Sequence, residues 1–527
     1  MSQDAPRFNL LALGPFDGAD TRGDSPVWDR PPIRVDRVGL DDAMAAMNIR
    51  WWLPLETSCC PAGGLEFHMD HLKGLHPDGL LKCHPYLVQL DQARGFLDQC
   101  RKDGWTAARI RAGLHRWPDL PAVEIAERPS PSAAAPSSDT IDNLLSMVAM
   151  PDQQASPLPD HAAASNPFDA IIRQVLANLF AHPPFRRLEA AWRGLRLLLQ
   201  QGAVEDSIRV TIAPIHPETL DAVLEALSVH LVDDLPNFIL MDLAFDNSPL
   251  AAERLAGAAR WASSFMAPLA AWVPPAFFHI DTWDDLATRP YLPHHLEEPA
   301  YAKFRALQQA DDGRWICLTS HRFLIRYPYG PDNRTRKIDF SESDPLWIPP
   351  VWALGTLVAR AAADTGRPAR FTDQARFRVQ DLALHQEKTA QPVPVEHLPD
   401  RDRLDQMIRA GITPLTTERG GDTAFFPQAI TLAGTSLAFQ LFTSHVTRFV
   451  LWCKDNLPAE NDPSALATQL RLAFQVFSEQ STPNGLESFT ISTGTISPDG
   501  HIPLRISVMP STAFLPRRTP IEMQLDW

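Results

Sequence analysis

This sequence is short of the features from which function is usually read. No segment approaches the roughly 18 uninterrupted apolar residues that a membrane-spanning helix requires. The opening MSQDAPRFNLLALG lacks a basic stretch followed by a long apolar core. These absences predict a cytoplasmic protein with no membrane insertion. Cysteine is scarce: Cys59, Cys60, Cys83, Cys100, Cys317 and Cys453 form no CxxC pair and no regular framework, so reduced thiols are the simplest reading. There is no Walker P-loop, HExxH, GxSxG elbow or dinucleotide glycine fingerprint, so the main catalytic templates are missing and no cofactor is expected. Positive charge is in deficit, with 48 Lys and Arg against 63 Asp and Glu and a formal net charge of -15. That balance argues against nucleic acid as a partner.

What is present describes a globular protein. Hydrophobic residues make up 45% and charged residues 21% of the 527 positions, a length that suggests roughly two to four domains of about 150 residues. Residues 7–13 (RFNLLAL) read as a buried strand, GLDDAMAAM as a short helix and LEFHM as a strand. From His84 to Arg101, Leu87, Leu90, Phe96 and Leu97 recur at helical spacing. Together these predict a small α/β unit over residues 1–117. Residues 118–165 are rich in Pro, Ala and Ser and read as a linker. Within it, residues 139–150 (DTIDNLLSMVAM) place Ile141, Leu144, Leu145 and Val148 on one helical face, which either docks on its own protein or is offered to a partner.

After residue 166 helices and strands alternate, which predicts a larger α/β domain with a mainly parallel sheet over 166–527. Two helices break at Pro183 and Pro184, SIRVTIAP, PNFILMDLAF and WVPPAFFHI read as strands, and further strands are expected near 411–427. Helices are expected at 349–365, 435–456 and 463–479, and ESFTISTGTISPDGHIPLRISVMP reads as a hairpin around Pro-Asp-Gly.

Three clusters invite a chemical reading. Cys59, Cys60, His68, His71, Cys83 and His84 could in principle hold zinc or serve an enzyme, but their spacing fits no standard site, and buried thiols with surface histidines are the better reading. His294 and His295 followed by Glu297 and Glu298 read as a solvated loop. Residues 318–330, LTSHRFLIRYPYG, alternate as a half-buried strand with Phe323 and Ile325 inward. Arg322 and Arg326 could stack on bases, but with 63 acidic residues available an ion-pair role fits better.

FRRLEAAWRGLRLLL, LTSHRFLIRYPYG, DPLWIPPVWALGTLVARAAADTGRPARF, DRLDQMIRAGITPLTTERGGDTAFFP and VTRFVLWCKD, in that order, resemble segments of TssC (VipB, EvpB/ImpC), the large contractile sheath subunit of bacterial type VI secretion systems. RFNLLALGPFDG, PPIRVDRVGLDDAMAAM and the run from LEFHM to GFLD resemble the small subunit TssB (VipA). The resemblance implies a TssB-like unit fused through the linker to a TssC-like domain in one noncatalytic sheath protein. Its implied partners are itself or other sheath subunits, an Hcp-like inner-tube protein, baseplate proteins and a ClpV-type AAA+ ATPase. The ATPase would read the helix carrying Ile141, Leu144, Leu145 and Val148. Structural or interface roles are implied for Trp192, Arg193, Arg322, Phe323, Arg326, Tyr329, Gly330 and Trp347. A divergent accessory that caps, nucleates or regulates the sheath or baseplate stays open beside the building block, as does a metal- or ligand-binding enzyme.

Overall fold

The computed structural model describes residues 8–18, 28–125, 166–204, 207–232, 234–386, 391–458, 462–479, 486–497, 501–512, 514–515 and 518–527. The helix expected at 139–150, with Ile141, Leu144, Leu145 and Val148, lies outside them. The strands in chain order are β1 (Phe8–Gly14), β2 (Ile33–Val35), β3 (Ile49–Pro54), β4 (Gly64–Met69), β5 (Ile208–Pro214), β6 (Phe238–Ala244) and β7 (Leu269–Trp272). They continue with β8 (Ile316–Ser320), β9 (Phe323–Leu324), β10 (Trp347–Ile348), β11 (Ile412–Pro414), β12 (Leu486–Thr493), β13 (Pro503–Pro510) and β14 (Ile521–Asp526). The fold is mixed α/β, as expected.

Its centre is a sheet ordered β11-β8-β7-β6-β1-β5-β2, parallel except for the edge strand β2. β1 lies between β5 and β6, with Leu10 opposite Val210 on one side and Phe238 on the other. The near-continuous apolar character of β1 follows from having both faces covered. Leu10 and Ala12 enter one core, closed by helices Pro183–Gln201 and Pro350–Thr365. Leu11 and Leu13 enter a second, closed by helices Leu220–His230 and Pro249–Ser264.

The N-terminal residues thus supply a central strand of the large sheet. The rest of that region, the antiparallel β3/β4 hairpin and helices Pro77–Cys83, Pro85–Lys102 and Ala107–Leu114, packs into the first core. Leu87, Leu90 and Leu97 are buried as expected, Phe96 is half-buried, and Ala93 and Cys100 complete the stripe. Polar contacts stitch helix Pro85–Lys102 to distant chain: Asp91 takes Lys337 Nζ at 2.5 Å, and Asn166 donates to the Arg94 carbonyl at 3.0 Å.

Several elements are shorter than the sequence pattern suggests. Residues 318–330 are not one strand: His321 adopts φ +66, and this left-handed residue separates β8 from β9, which turns away to pair with β10. Phe323 and Leu324 are buried, while Ile325 is only half-buried. β7 stops at Trp272 because Pro274 and Pro275 have no N–H to donate. Of the strands expected near 411–427, only β11 joins the sheet. The helices Leu437–Asn456 and Pro463–Glu479 and the β12/β13 hairpin are present, and the hairpin gains a third strand, β14.

Close packing over β1 depends on Gly194, where an added Cβ would sit 2.4 Å from Cγ of the fully buried Trp352. Gly194→Ala is expected to destabilise the protein by about 1–3 kcal/mol through overpacking, despite alanine's helix preference, as a lowered midpoint in urea denaturation.

Candidate functional site

In doubly wound sheets, ligands bind outside the C-terminal ends of neighbouring strands whose connections run in opposite directions. Here that place is the end of β1, where the chain leads on one side to β5 and on the other to β6. Fully buried aromatic rings fill it. Phe16 lies edge-on to Trp192 at 5.3 Å and to Trp352 at 6.0 Å between ring centroids, and all three are 0% exposed. Their indoles are held in place: Trp192 Nε1 donates to the Phe16 carbonyl at 3.0 Å, and Trp352 Nε1 donates to Asp242 Oδ2 at 2.8 Å. Burial pushes the Asp242 carboxyl up to about 7, with the indole hydrogen bond opposing only part of the rise. Beside it, His216 Nε2 and Asp17 Oδ1 stand 2.6 Å apart.

A second buried polar centre gathers the arginines of the 318–330 segment. Arg326 grips Glu189 through Nε and Nη2 at 2.9 and 3.1 Å, and Glu342 through Nη1 and Nη2 at 2.6 and 3.1 Å. Both carboxylates are 1% exposed. Arg193 adds a 2.6 Å bond to Glu189 from one helical turn away, Arg186 reaches Glu342 at 3.4 Å, and Arg326 lies 4.4 Å over the Tyr329 ring. Burial alone would raise the Glu189 carboxyl, but the Arg193 and Arg326 guanidiniums outweigh it and hold its pKa below the ordinary range. Such forks cost several kcal/mol per ion to desolvate and return it only with full pairing. Arg322 does not join this centre. Its Nε meets Glu396 Oε2 at 2.7 Å, and Glu396 Oε1 also accepts from the Arg322 backbone and from Trp283 Nε1.

Trp192, Phe323, Tyr329 and Gly330 therefore sit in the interior of this chain, and Arg193, Arg322, Arg326 and Trp347 are half-buried. Gly330 turns at φ +154, which a side chain would resist. Trp347 pairs with Leu324 across β10/β9. Sequence reading missed the partners. Glu189 could have been found four residues before Arg193 in LEAAWR, and Asp242 as the lone acid in FILMDLA. Glu342 and Glu396 are brought in only by the fold.

The cysteine-histidine cluster comes apart. Cys59 and Cys60 are buried, whereas His68, His71, Cys83 and His84 line an open cleft of about 530 Å³ with Arg50 and Glu66. His71 Nε2 is 3.6 Å from Cys83 Sγ, and its Nδ1 accepts from the Gly74 backbone. Among the described residues, no three His, Cys, Asp or Glu side chains are arranged to hold a metal ion. His294 and His295 are not in an extended loop but in a helical turn. His295 is buried against Glu298 and Tyr301, and His294 faces solvent with Glu297. No helix among the described residues is long and apolar enough to cross a membrane.

Arg326→Met is expected to strand two buried carboxylates and cost about 3–5 kcal/mol in chemical denaturation. Asp242 carries the opposite pH signature. With its folded pKa raised from 3.8 to about 7, the stability it lends is full below pH 4, falls between pH 4 and 7, and levels off above. Asp242→Asn is therefore expected to gain on the native protein across that window, read as thermal midpoints against pH.

Comparison with known proteins gives a likeness over part of the chain. Residues 237–433 match the family model described as VipB, the EvpB/VC_A0108 tail sheath N-terminal domain. Over 290 residues the chain is 25% identical to the type VI secretion system sheath protein TssC1 of Pseudomonas aeruginosa, an alignment that takes in 49% of this chain and 58% of that relative. The chain thus spans little more than half of the relative's length. Among solved structures, an anti-feeding prophage baseplate chain is similar with TM-score 0.37 and 9% identity over 61% of this chain and 77% of that one. The sheath tail protein Lin1278 from Listeria innocua is similar with TM-score 0.32 and 8% identity, covering 61% of each. The part of this chain that carries β6, β7, β8 and β11 accordingly matches the VipB tail sheath N-terminal domain.

Proposed function

We propose that this protein is a noncatalytic structural subunit of a type VI secretion apparatus, cytoplasmic, and built to assemble into or onto a contractile tail sheath. The observation that carries the reading is the tail-sheath match over residues 237–433, the region that contributes β6, β7, β8 and β11 to the central sheet. The filled crevice at the end of β1 supports it from an independent direction. Where a doubly wound enzyme would leave room for substrate, three interlocked aromatic rings spend that space on rigidity.

In this reading residues 1–117 stand in for the small sheath subunit, residues 166–527 for the large one, and residues 118–165 tether them. Interleaving β1 between β5 and β6 is what a fused pair would gain, since a strand supplied in cis needs no bimolecular encounter. The partners are further copies or sheath subunits, an inner-tube protein, baseplate proteins, and a ClpV-type ATPase acting on Ile141, Leu144, Leu145 and Val148.

Electron microscopy of the purified chain, alone and with its inner-tube protein, is expected to show rings or tubes. Isolated monomers under both conditions would contradict the assembly role.

A further inference from the structure

Two surfaces of opposite charge lie on opposite sides of the central sheet. Between residues 99 and 117 the sequence holds five basic residues and one acid, Asp103, although the whole chain is at -15. Lys102, Arg109, Arg111 and Arg116 are exposed there, and none forms an ion pair among the described residues. Two of these guanidiniums are posed on aromatic rings: Arg109 lies 3.6 Å over Trp105 and Arg116 5.5 Å over Phe96. Stacking lowers the entropy lost when such a side chain meets a carboxylate. The helix Ala107–Leu114 buries only Ile110, and Gly113 lets it sit on the Phe96 ring, where a Cβ would lie 2.3 Å away. The rest of its surface is short side chains and arginine, a flat basic knob rooted in the first core.

The counterpart is on the second face. Residues 217–230 hold three acidic residues, Glu218, Asp221 and Glu225, and no lysine or arginine. Glu218, Asp221 and Glu225 recur at i, i+3 and i+7 along the turn and helix that end at His230, so they form one exposed stripe. The stripe continues into Val229, 75% exposed, while Leu220, Val223, Leu224 and Leu227 anchor the helix in the second core. None of the three carboxylates is ion-paired among the described residues.

We propose that the basic knob docks on the acidic stripe of a second copy of this chain. The sheet separates the two surfaces within one molecule, so the contact is heterologous and repeats head to tail, which builds a ring or an open filament. This deepens the assembly reading given above and rests on it. Complementary exposed charge steers the encounter and sets register, and at physiological salt it acts within about 8 Å.

The test is sedimentation velocity of the full chain across a salt series. The native chain is expected to self-associate at low ionic strength and return to monomer as salt rises. Reversing the knob (Arg109→Glu with Arg116→Glu) or the stripe (Asp221→Lys with Glu225→Lys) is expected to weaken self-association by at least roughly tenfold, with the thermal midpoint retained. Mixing the two reversed proteins restores it, because each then offers the other a complementary pair. A native chain that is monomeric throughout, a knob reversal without effect, or a mixture that stays monomeric overturns the contact. Tubes built by the reversed chain overturn it too, while leaving the assembly reading intact. Salt-sensitive association through this contact without rings or tubes upholds the contact and overturns the sheath reading.

Discussion

The pairing of β1 with β5 and β6 is the constraint from which the rest of the structure follows. A parallel strand in the interior of a sheet must have both edges paired and both faces covered, and β1 meets that demand with Phe8–Gly14 paired to β5 and Leu10–Leu13 to β6, partners some two hundred positions away. Once β1 is in place, Leu10 and Ala12 commit one core and Leu11 and Leu13 the other. The β3/β4 hairpin and the helix Pro85–Lys102 then lie on the first face, where Asp91, Arg94 and Asp98 are engaged with residues 166 and 337.

The two buried polar centres read differently in this light. Glu189 and Glu342, at 1% exposure, are tolerable only because Arg326 satisfies both forks, with Arg193 and Arg186 alongside. This clamp ties the helix Pro183–Gln201 to the loop between β9 and β10. Asp242 accepts from the Trp352 indole in a buried setting that lifts its pKa to about 7, and it anchors Trp352 over the end of β1. A raised carboxyl pKa in an open crevice would suggest acid-base chemistry. Sealed beneath Phe16, Trp192 and Trp352, it serves packing instead.

Much of the architecture was legible in the sequence because its signals are local. The helices at 183–201 and 463–479, the alternation that predicts a parallel sheet, and the hairpin of β12 and β13 depend on periodicity and turn residues. The fate of Arg326 was half-legible: an acidic chain favours carboxylate partners, and Glu189 is visible one turn before Arg193, but Glu342 and Glu396 are neighbours only through the fold. His321 gave no warning, since a left-handed histidine between two apolar runs looks like strand until its φ is known. The destination of β1 was equally invisible, because a buried strand does not announce its neighbours. The same limit explains why the cysteine-histidine cluster looked denser in sequence than it is in space, with two of its thiols facing the core and one facing a cleft.

Hydrogen exchange on the intact chain tests the central claim most directly, namely that the N-terminal strand is the keystone of one cooperative body. The amides of Leu10, Leu11, Ala12 and Leu13 are expected to exchange only through global unfolding, at the rate of Ile239, Leu240 and Met241 in the neighbouring strand. Faster exchange of the β1 amides, with β6 still protected, would show that the sheet stands without its first strand and would contradict the account.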